Sequence, residues 1–217
     1  QVVRGVDDPL PSDVYRVDPG ADVLVVDGFD RVIDGGFGGL SHDFAAVVGE
    51  AAGKVATVAH RALTEDGFDP SPYASVIWLL GDEAVADHAL SDAEQQAILA
   101  YLGGGGHLVV SGSELGFTLA QENGGPTFLD AVFGAAYVAD ASGSFSAAGA
   151  GALASIAPFS YSGPGGPYQV AYPDALGATS GGEVVFTYDN GKGAAVGITG
   201  QAVLVGFPLE LVDAPST

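Results

Sequence analysis

The chain has 217 residues, 27 acidic against 6 basic, for a formal charge of −21, and 47% of its residues are hydrophobic. One domain of this length buries a sizeable core, and so acidic a surface excludes a nucleic-acid partner, whose phosphates need clustered Lys and Arg. With no cysteine, disulfides, thiolate metal sites and a cysteine nucleophile are excluded as well, and no apolar stretch is long enough to insert in a membrane.

Residues 1–20 are polar and proline-punctuated (Asp8-Pro9, Leu10-Pro11, Asp18-Pro19). They read as an arm or interdomain linker, with an extended piece at Val14–Val17. Residues 21–217 read as one domain. Asp22–Asp27 (DVLVVD) is a continuous apolar run of the kind a strand shows when buried on both faces of a parallel sheet. A glycine-rich loop, Gly28–Leu40, follows. Ser41 can cap a helix running to Ala52 that Gly53 ends. Lys54–His60 alternates and is β-branched, a second strand, the alternative being a longer helix. Thr64–Tyr73 is a loop, and Ser75–Leu80 (SVIWLL) is a third buried strand that ends at Gly81-Asp82-Glu83. Trp78 lies inside that run and belongs to the core.

Ser91-x-x-Glu94 is a capping box. Its helix stops at the four glycines Gly103 to Gly106. Leu108–Val110 is then a central strand that breaks at Ser111-Gly112-Ser113-Glu114 into a helix from Leu115. Gly125-Pro126 opens a short helix with Phe128, Leu129, Val132 and Phe133 on one face. Ala135–Ala139 is a fifth strand. Residues 140–180, rich in Gly, Ala, Ser and Pro with single aromatics, predict irregular β segments. Glu183–Tyr188, Ala194–Thr199 and Ala202–Val205 are three short strands, the first two joined at Asp189-Asn190-Gly191. The fold class is therefore α/β: a doubly wound, mostly parallel sheet of flavodoxin-like type with a β-rich C-terminal extension.

Sites in such sheets collect beyond the carboxyl ends of the strands. That edge receives Asp27, Asp30 and Arg31 after the first strand, Asp82 and Glu83 after the third, Ser113 and Glu114 after the central one, and His42 at the start of the first helix. Asp30, Arg31, His42, Glu83, Ser113 and Glu114 are the candidate ligand-binding set. Asp27, Asp30, Glu83 and Glu114 are the candidate ligands for a divalent cation such as calcium, no other cofactor being expected. Glu83 and Glu114 are candidate acid and base toward a glycosidic bond, with Ser113 beside them. The alternative is structural: Arg31 pairs with one carboxylate and the others cap helix N-termini.

VLVVDGFDR, HDF, IWLLGDE, LSDAEQQAILAYLGGGGHLVVSGSELG, FLDAVFGAAYVAD, YQVAYPDAL and GFPLE, in that order, resemble a module of large secreted bacterial proteins. These are described as xanthan lyase-like or N-acetylmuramoyl-L-alanine amidase-like, and the module occurs near fibronectin type III and golvesin-like domains. It resembles in turn the class I glutamine amidotransferases. Those enzymes carry a nucleophilic cysteine on the turn after a central strand, and a histidine and glutamate after the last strand. Here the turn offers Ser113 and Glu114, and the late motif reads Gly206-Phe207-Pro208-Leu209-Glu210 without a histidine. The resemblance thus implies a scaffold without the amidotransferase reaction. It implies an extracellular or cell-surface setting, in keeping with a chain that opens at Gln1 and contains no methionine. The expected role is non-catalytic binding of a glycan or cell-wall ligand. The alternatives are a carboxylate-based or metal-assisted hydrolase, or a filament subunit that self-assembles through the N-terminal arm.

Overall fold

A computed structural model describes residues 14–29, 41–83, 89–122, 124–162 and 168–212, with residues 14 and 41–43 described by their backbone alone. Gln1–Asp13 and most of the expected glycine-rich loop lie outside these residues.

The apolar runs become the strands β2 (Val23–Asp27), β3 (Val55–Ala59), β4 (Ser75–Gly81) and β5 (His107–Gly112). Together with β12 (Ala202–Val205) they form a parallel centre in the order β3-β2-β4-β5-β12. This is the flavodoxin-like order, with the first strand of the centre lying second and a switch point between β2 and β4. At one edge β1 (Val14–Val17) pairs antiparallel with β3 of the same chain. At the other, β12 continues antiparallel into β11 (Gly193–Ile198), β10 (Glu183–Tyr188), β7 (Ser146–Gly149) and β8 (Phe159–Ser160). A side branch joins β9 (Ala175–Ala178) to β11 and β6 (Ala135–Ala139) to β9.

The expected mostly parallel sheet is corrected here. The sheet is mixed, with four parallel strand pairs against seven antiparallel ones among the described residues. The physical reason is connection length. Parallel neighbours need a long crossover, whereas the C-terminal strands are joined by short turns such as Asp189-Asn190-Gly191, where Gly191 takes φ +84°.

Among the described residues five helices flank the sheet: α1 (Ser41–Ala52), α2 (His60–Thr64), α3 (Asp92–Gly103), α4 (Leu115–Gln121) and α5 (Gly125–Phe128), the last running on as a π-turn over Leu129–Phe133. The short α2 takes up His60, the last residue of the expected second strand. The predicted capping box is present: the Ser91 hydroxyl accepts from the Glu94 amide, and the Glu94 carboxylate accepts from the Ser91 amide at 2.8 Å. On one face Leu24, Val26, Val76, Trp78, Leu80, Leu108 and Val110 pack with Ile98 of α3 and Leu115 and Leu119 of α4. On the other, Val25, Val55 and Leu79 meet Ala45 of α1, and Val205 and Phe207 join Phe44, Tyr161 and Tyr188. These faces hold β2, β4, β5 and β12 in register, so that their carboxyl ends open on one edge.

Candidate functional site

Asp27 ends β2 and is buried, its Oδ1 accepting from the Phe29 amide at 3.2 Å. The intervening residue has to be glycine, since a Cβ on Gly28 would stand 2.5 Å from the Trp78 indole nitrogen. Next to it β4 runs out through Gly81 at φ +57° into Asp82 and Glu83, both buried, Glu83 to 2% exposure. On the other side of β4, β5 delivers Ser113, wholly buried. The Ser113 hydroxyl donates to Asp82 Oδ1 at 2.6 Å, and the Ala171 amide donates to the same oxygen at 3.1 Å.

The turn after β5 has one strained residue, and it is Glu114. It sits at φ +55°, ψ 3° immediately before α4. That is a left-handed conformation which a non-glycine residue holds only when its surroundings impose it. Its side chain is half-buried. The surroundings are visible next door. Gly116 and Phe117, the first free amides of α4, donate to Asp174 Oδ2 at 2.6 and 3.3 Å. A Cβ on Gly116 would come 2.9 Å from Leu176 and 3.2 Å from that carboxylate. Asp174 thus closes over the turn from the C-terminal extension. It is fully buried, and its other oxygen has no hydrogen-bond partner. Burial pushes its carboxyl up to about 7, outweighing the two amides that favour the anion; Asp140 and Glu114 add to the rise.

The exit from β12 brings a second such group. The Ser111 hydroxyl donates to the Phe207 carbonyl at 2.9 Å and accepts from the Leu209 amide at 2.8 Å. This fixes the short 3₁₀ turn Leu209–Leu211 and lays Glu210 against Gly81, where an added Cβ would stand 3.3 Å from its Oε1. Glu210 is 8% exposed and takes a 2.5 Å hydrogen bond from the Tyr168 hydroxyl. Burial raises its carboxyl to about 7 against that bond, helped by the charges of Asp27 and Asp82. The Tyr168 hydroxyl is itself raised, first by burial and then by Glu210.

Of the residues singled out in the sequence, Asp27, Asp82, Glu83, Ser113 and Glu114 do stand at the carboxyl ends of β2, β4 and β5. Asp30 and Arg31 lie outside the described residues, as does the side chain of His42, whose backbone opens α1. Among the described residues no group of three or more His, Asp or Glu is arranged to hold a metal ion; Asp27, Glu83 and Glu114 do not form one. Three members of the site were missed as such: Asp174, Glu210 and Tyr168. Glu210 had a signal, its place in GFPLE after the last strand. Asp174 and Tyr168 had the same kind of signal, their place in YQVAYPDAL, but only the fold of the extension returns them to the strand ends.

The Ser113 hydroxyl is a structural donor. Ser113→Ala should cost about 1–2 kcal/mol in urea unfolding, since it leaves a buried Asp82 oxygen with the Ala171 amide alone among these two donors.

No protein-family model matches the sequence, and no curated protein matches it. Among solved structures, the chain is similar to a glutamine amidotransferase from Thermotoga maritima, at a TM-score of 0.51 and 15% identity, covering 88% of this chain and 76% of that one. It is likewise similar to a ThuA-like protein from Bacteroides uniformis, at a TM-score of 0.54 and 11% identity, covering 93% and 86%. At these identities the likeness is one of fold. The chain has a class I glutamine amidotransferase-like fold, carried on a mixed, strand-rich sheet.

Proposed function

We propose that the chain is a non-catalytic binding or assembly module of a secreted or cell-surface protein, with a glycan or cell-wall component as ligand. The observation that carries this reading is the turn after β5. Its strained position holds a carboxylate, Glu114, and its hydroxyl, Ser113, is buried and committed to Asp82. A serine nucleophile needs a free hydroxyl and a neighbouring base. Of the imidazoles that are described, His60 is held 2.8 Å from Glu94, and His107 opens β5 at the opposite end of the sheet, bonded to the Gly200 carbonyl. A half-buried carboxylate on a rigid turn suits recognition of hydroxyls or amines.

One observation favours the hydrolase reading as the runner-up: two carboxyls, Asp174 and Glu210, are held near 7, the range useful for proton transfer. Against it, Glu83 and Glu210 are buried, with little surface left to meet a polysaccharide. For the filament reading, Val14–Val17 is already used at the edge of its own sheet.

A pull-down on insoluble peptidoglycan and a glycan array test the proposal, run beside turnover assays on glutamine, an aryl ester and the bound polysaccharide. The expected result is retention that Glu114→Gln weakens several-fold, with no turnover. Turnover abolished by Glu210→Gln would replace the module by a hydrolase. Absence of retention on every surface would overturn the binding role.

A further inference from the structure

We infer that the groove between the α2–β4 loop and the C-terminus of α3, at the end of the sheet opposite the turn, is a binding site for a protonated primary amine on a short arm. It stands independently of the role proposed for the strand-end site, from which it is separated by the length of the strands.

The groove is a cavity of about 490 Å³, within the range that takes small ligands. Three aromatic side chains line it, Phe68, Tyr73 and Tyr101. Phe68 and Tyr73 stack with ring centroids 6.2 Å apart and planes 16° from parallel. The Tyr101 hydroxyl donates to the Tyr73 carbonyl at 3.0 Å, tying α3 to the loop. Tyr101 in turn lies so close on Gly106 that a Cβ there would stand 2.1 Å from its ring. Pro70 and Pro72 stiffen the loop between the aromatics. The groove is therefore preformed and loses little entropy on binding.

Three features give it a sign. Asp22 and Asp69 both line it. The Ser71 amide and hydroxyl bond to the Asp69 carboxylate at 2.9 and 2.8 Å, which fixes it in place and holds it below the usual carboxylate range. The twelve-residue α3 ends here with no basic residue in its last turn, its Ala100, Tyr101 and Leu102 carbonyls accepting from the amides of Gly104 to Gly106. Among the described residues lining the groove there is no Lys, Arg or His. Aromatic rings and two carboxylates are complementary to an ammonium group with an apolar stem: the stem lies on the rings and prolines, the charge toward the carboxylates and the ring faces.

The same chemistry is offered by a lysine-type side chain of a peptide and by an amino sugar. Two probes separate them: Nα-acetyl-lysine methylamide and the β-linked glucosamine trimer, each beside its N-acetylated form as the uncharged control. Amide chemical shifts of the whole chain are followed on titration. We expect millimolar binding with shifts gathered at residues 68–74 and 104–106. It should weaken at least several-fold in the exposed-site variant Asp69→Asn, weaken with added salt, and vanish for the acetylated controls. Trp78, the sole tryptophan, lies just behind the groove with Pro70 and Tyr101, and its fluorescence supplies a second readout. Binding of one probe alone keeps the site and identifies the source of the amine. Equal binding of an acetylated control, unchanged affinity in Asp69→Asn, or shifts confined to other parts of the chain would overturn the inference.

Discussion

Stability to urea should fall by about 4 kcal/mol as the pH rises from about 5 to about 8, the reverse of the usual rise of a protein leaving acid. The cause is the pair of buried carboxyls. Asp174 moves from an ordinary 3.8 to about 7 and Glu210 from 4.5 to about 7 on folding, each chiefly through burial. Each therefore binds its proton more tightly in the folded chain than in the unfolded one. Below its ordinary value both states are protonated and stability is full. Between that value and about 7 the folded state alone keeps the proton, so every step up in pH favours unfolding. Above about 7 both states are ionised and the loss is complete. The shifts taken at face value correspond to about 3–4 kcal/mol each; relaxation and water entry reduce this, to about 2 kcal/mol each. Asp174→Asn keeps an oxygen for the Gly116 and Phe117 amides, and Glu210→Gln keeps one for the Tyr168 hydroxyl while removing a charge that Asp27 and Asp82 oppose. Each variant should remove about half of the pH dependence and be the more stable protein at pH about 8, by about 2 kcal/mol. Urea midpoints at the two pH values decide it. A slope that persists in the double variant would show that other groups carry it. Because Tyr168, Ala171 and Asp174 all belong to one stretch crossing the strand ends, hydrogen exchange in residues 168–174 should quicken over the same pH range.

How much of this was legible in the sequence depended on the range of the interactions. DVLVVD, SVIWLL and HLVV announced themselves because strands buried on both faces must be apolar throughout. The Ser91–Glu94 box is a contact three residues apart and is readable as such. Placing Asp27, Glu83 and Glu114 on one edge needed only the alternation of strands and helices, which sends successive strand ends to the same side of a parallel sheet. What escaped was long-range. Ser113 stands on the turn where the resembled enzymes carry their nucleophile; its hydroxyl is committed to Asp82, 31 residues away. Asp174 reaches Gly116 across 58 residues, and Tyr168 meets Glu210 across 42. These pairings depend on how the antiparallel extension folds back, and no local pattern encodes that. The same extension made the sheet mixed rather than mostly parallel. The strained Glu114 is a case between the two: the small-residue turn was visible, but which residue takes the positive φ is decided by Asp174 and the start of α4.

Phe207→Ala should be the most damaging single truncation, at about 4 kcal/mol in urea or thermal unfolding. Phe207 is wholly buried where β12 leaves the sheet. Its ring stacks on Tyr161 at 4.4 Å between centroids and 17° between planes, with Phe159 at 5.9 Å and Tyr188 at 6.3 Å. It is the joint between the parallel centre and the antiparallel extension: β12 lies in the first, while Tyr161 and Tyr188 belong to the second. The Tyr188 hydroxyl donates to the Asp174 carbonyl at 2.8 Å and the Tyr161 hydroxyl to the Ser144 carbonyl at 2.7 Å, so the rings around Phe207 are pinned and collapse poorly into a void. A site that cannot collapse pays the upper part of the range for an aromatic truncation. Phe207→Leu, which refills most of the volume, should cost about 1–2 kcal/mol. The truncation should also reach the strand-end site. The Phe207 carbonyl accepts from Ser111, and the next turn carries Glu210. A chain that relieves the void by shifting Pro208–Leu211 lifts Glu210 off Gly81 toward water and lowers its carboxyl toward the ordinary value. Phe207→Ala should therefore flatten the pH dependence as well as lower stability, whereas Phe207→Leu should keep it. A loss of under about 1 kcal/mol, with the pH slope intact, would mean that the extension and the parallel centre are joined elsewhere.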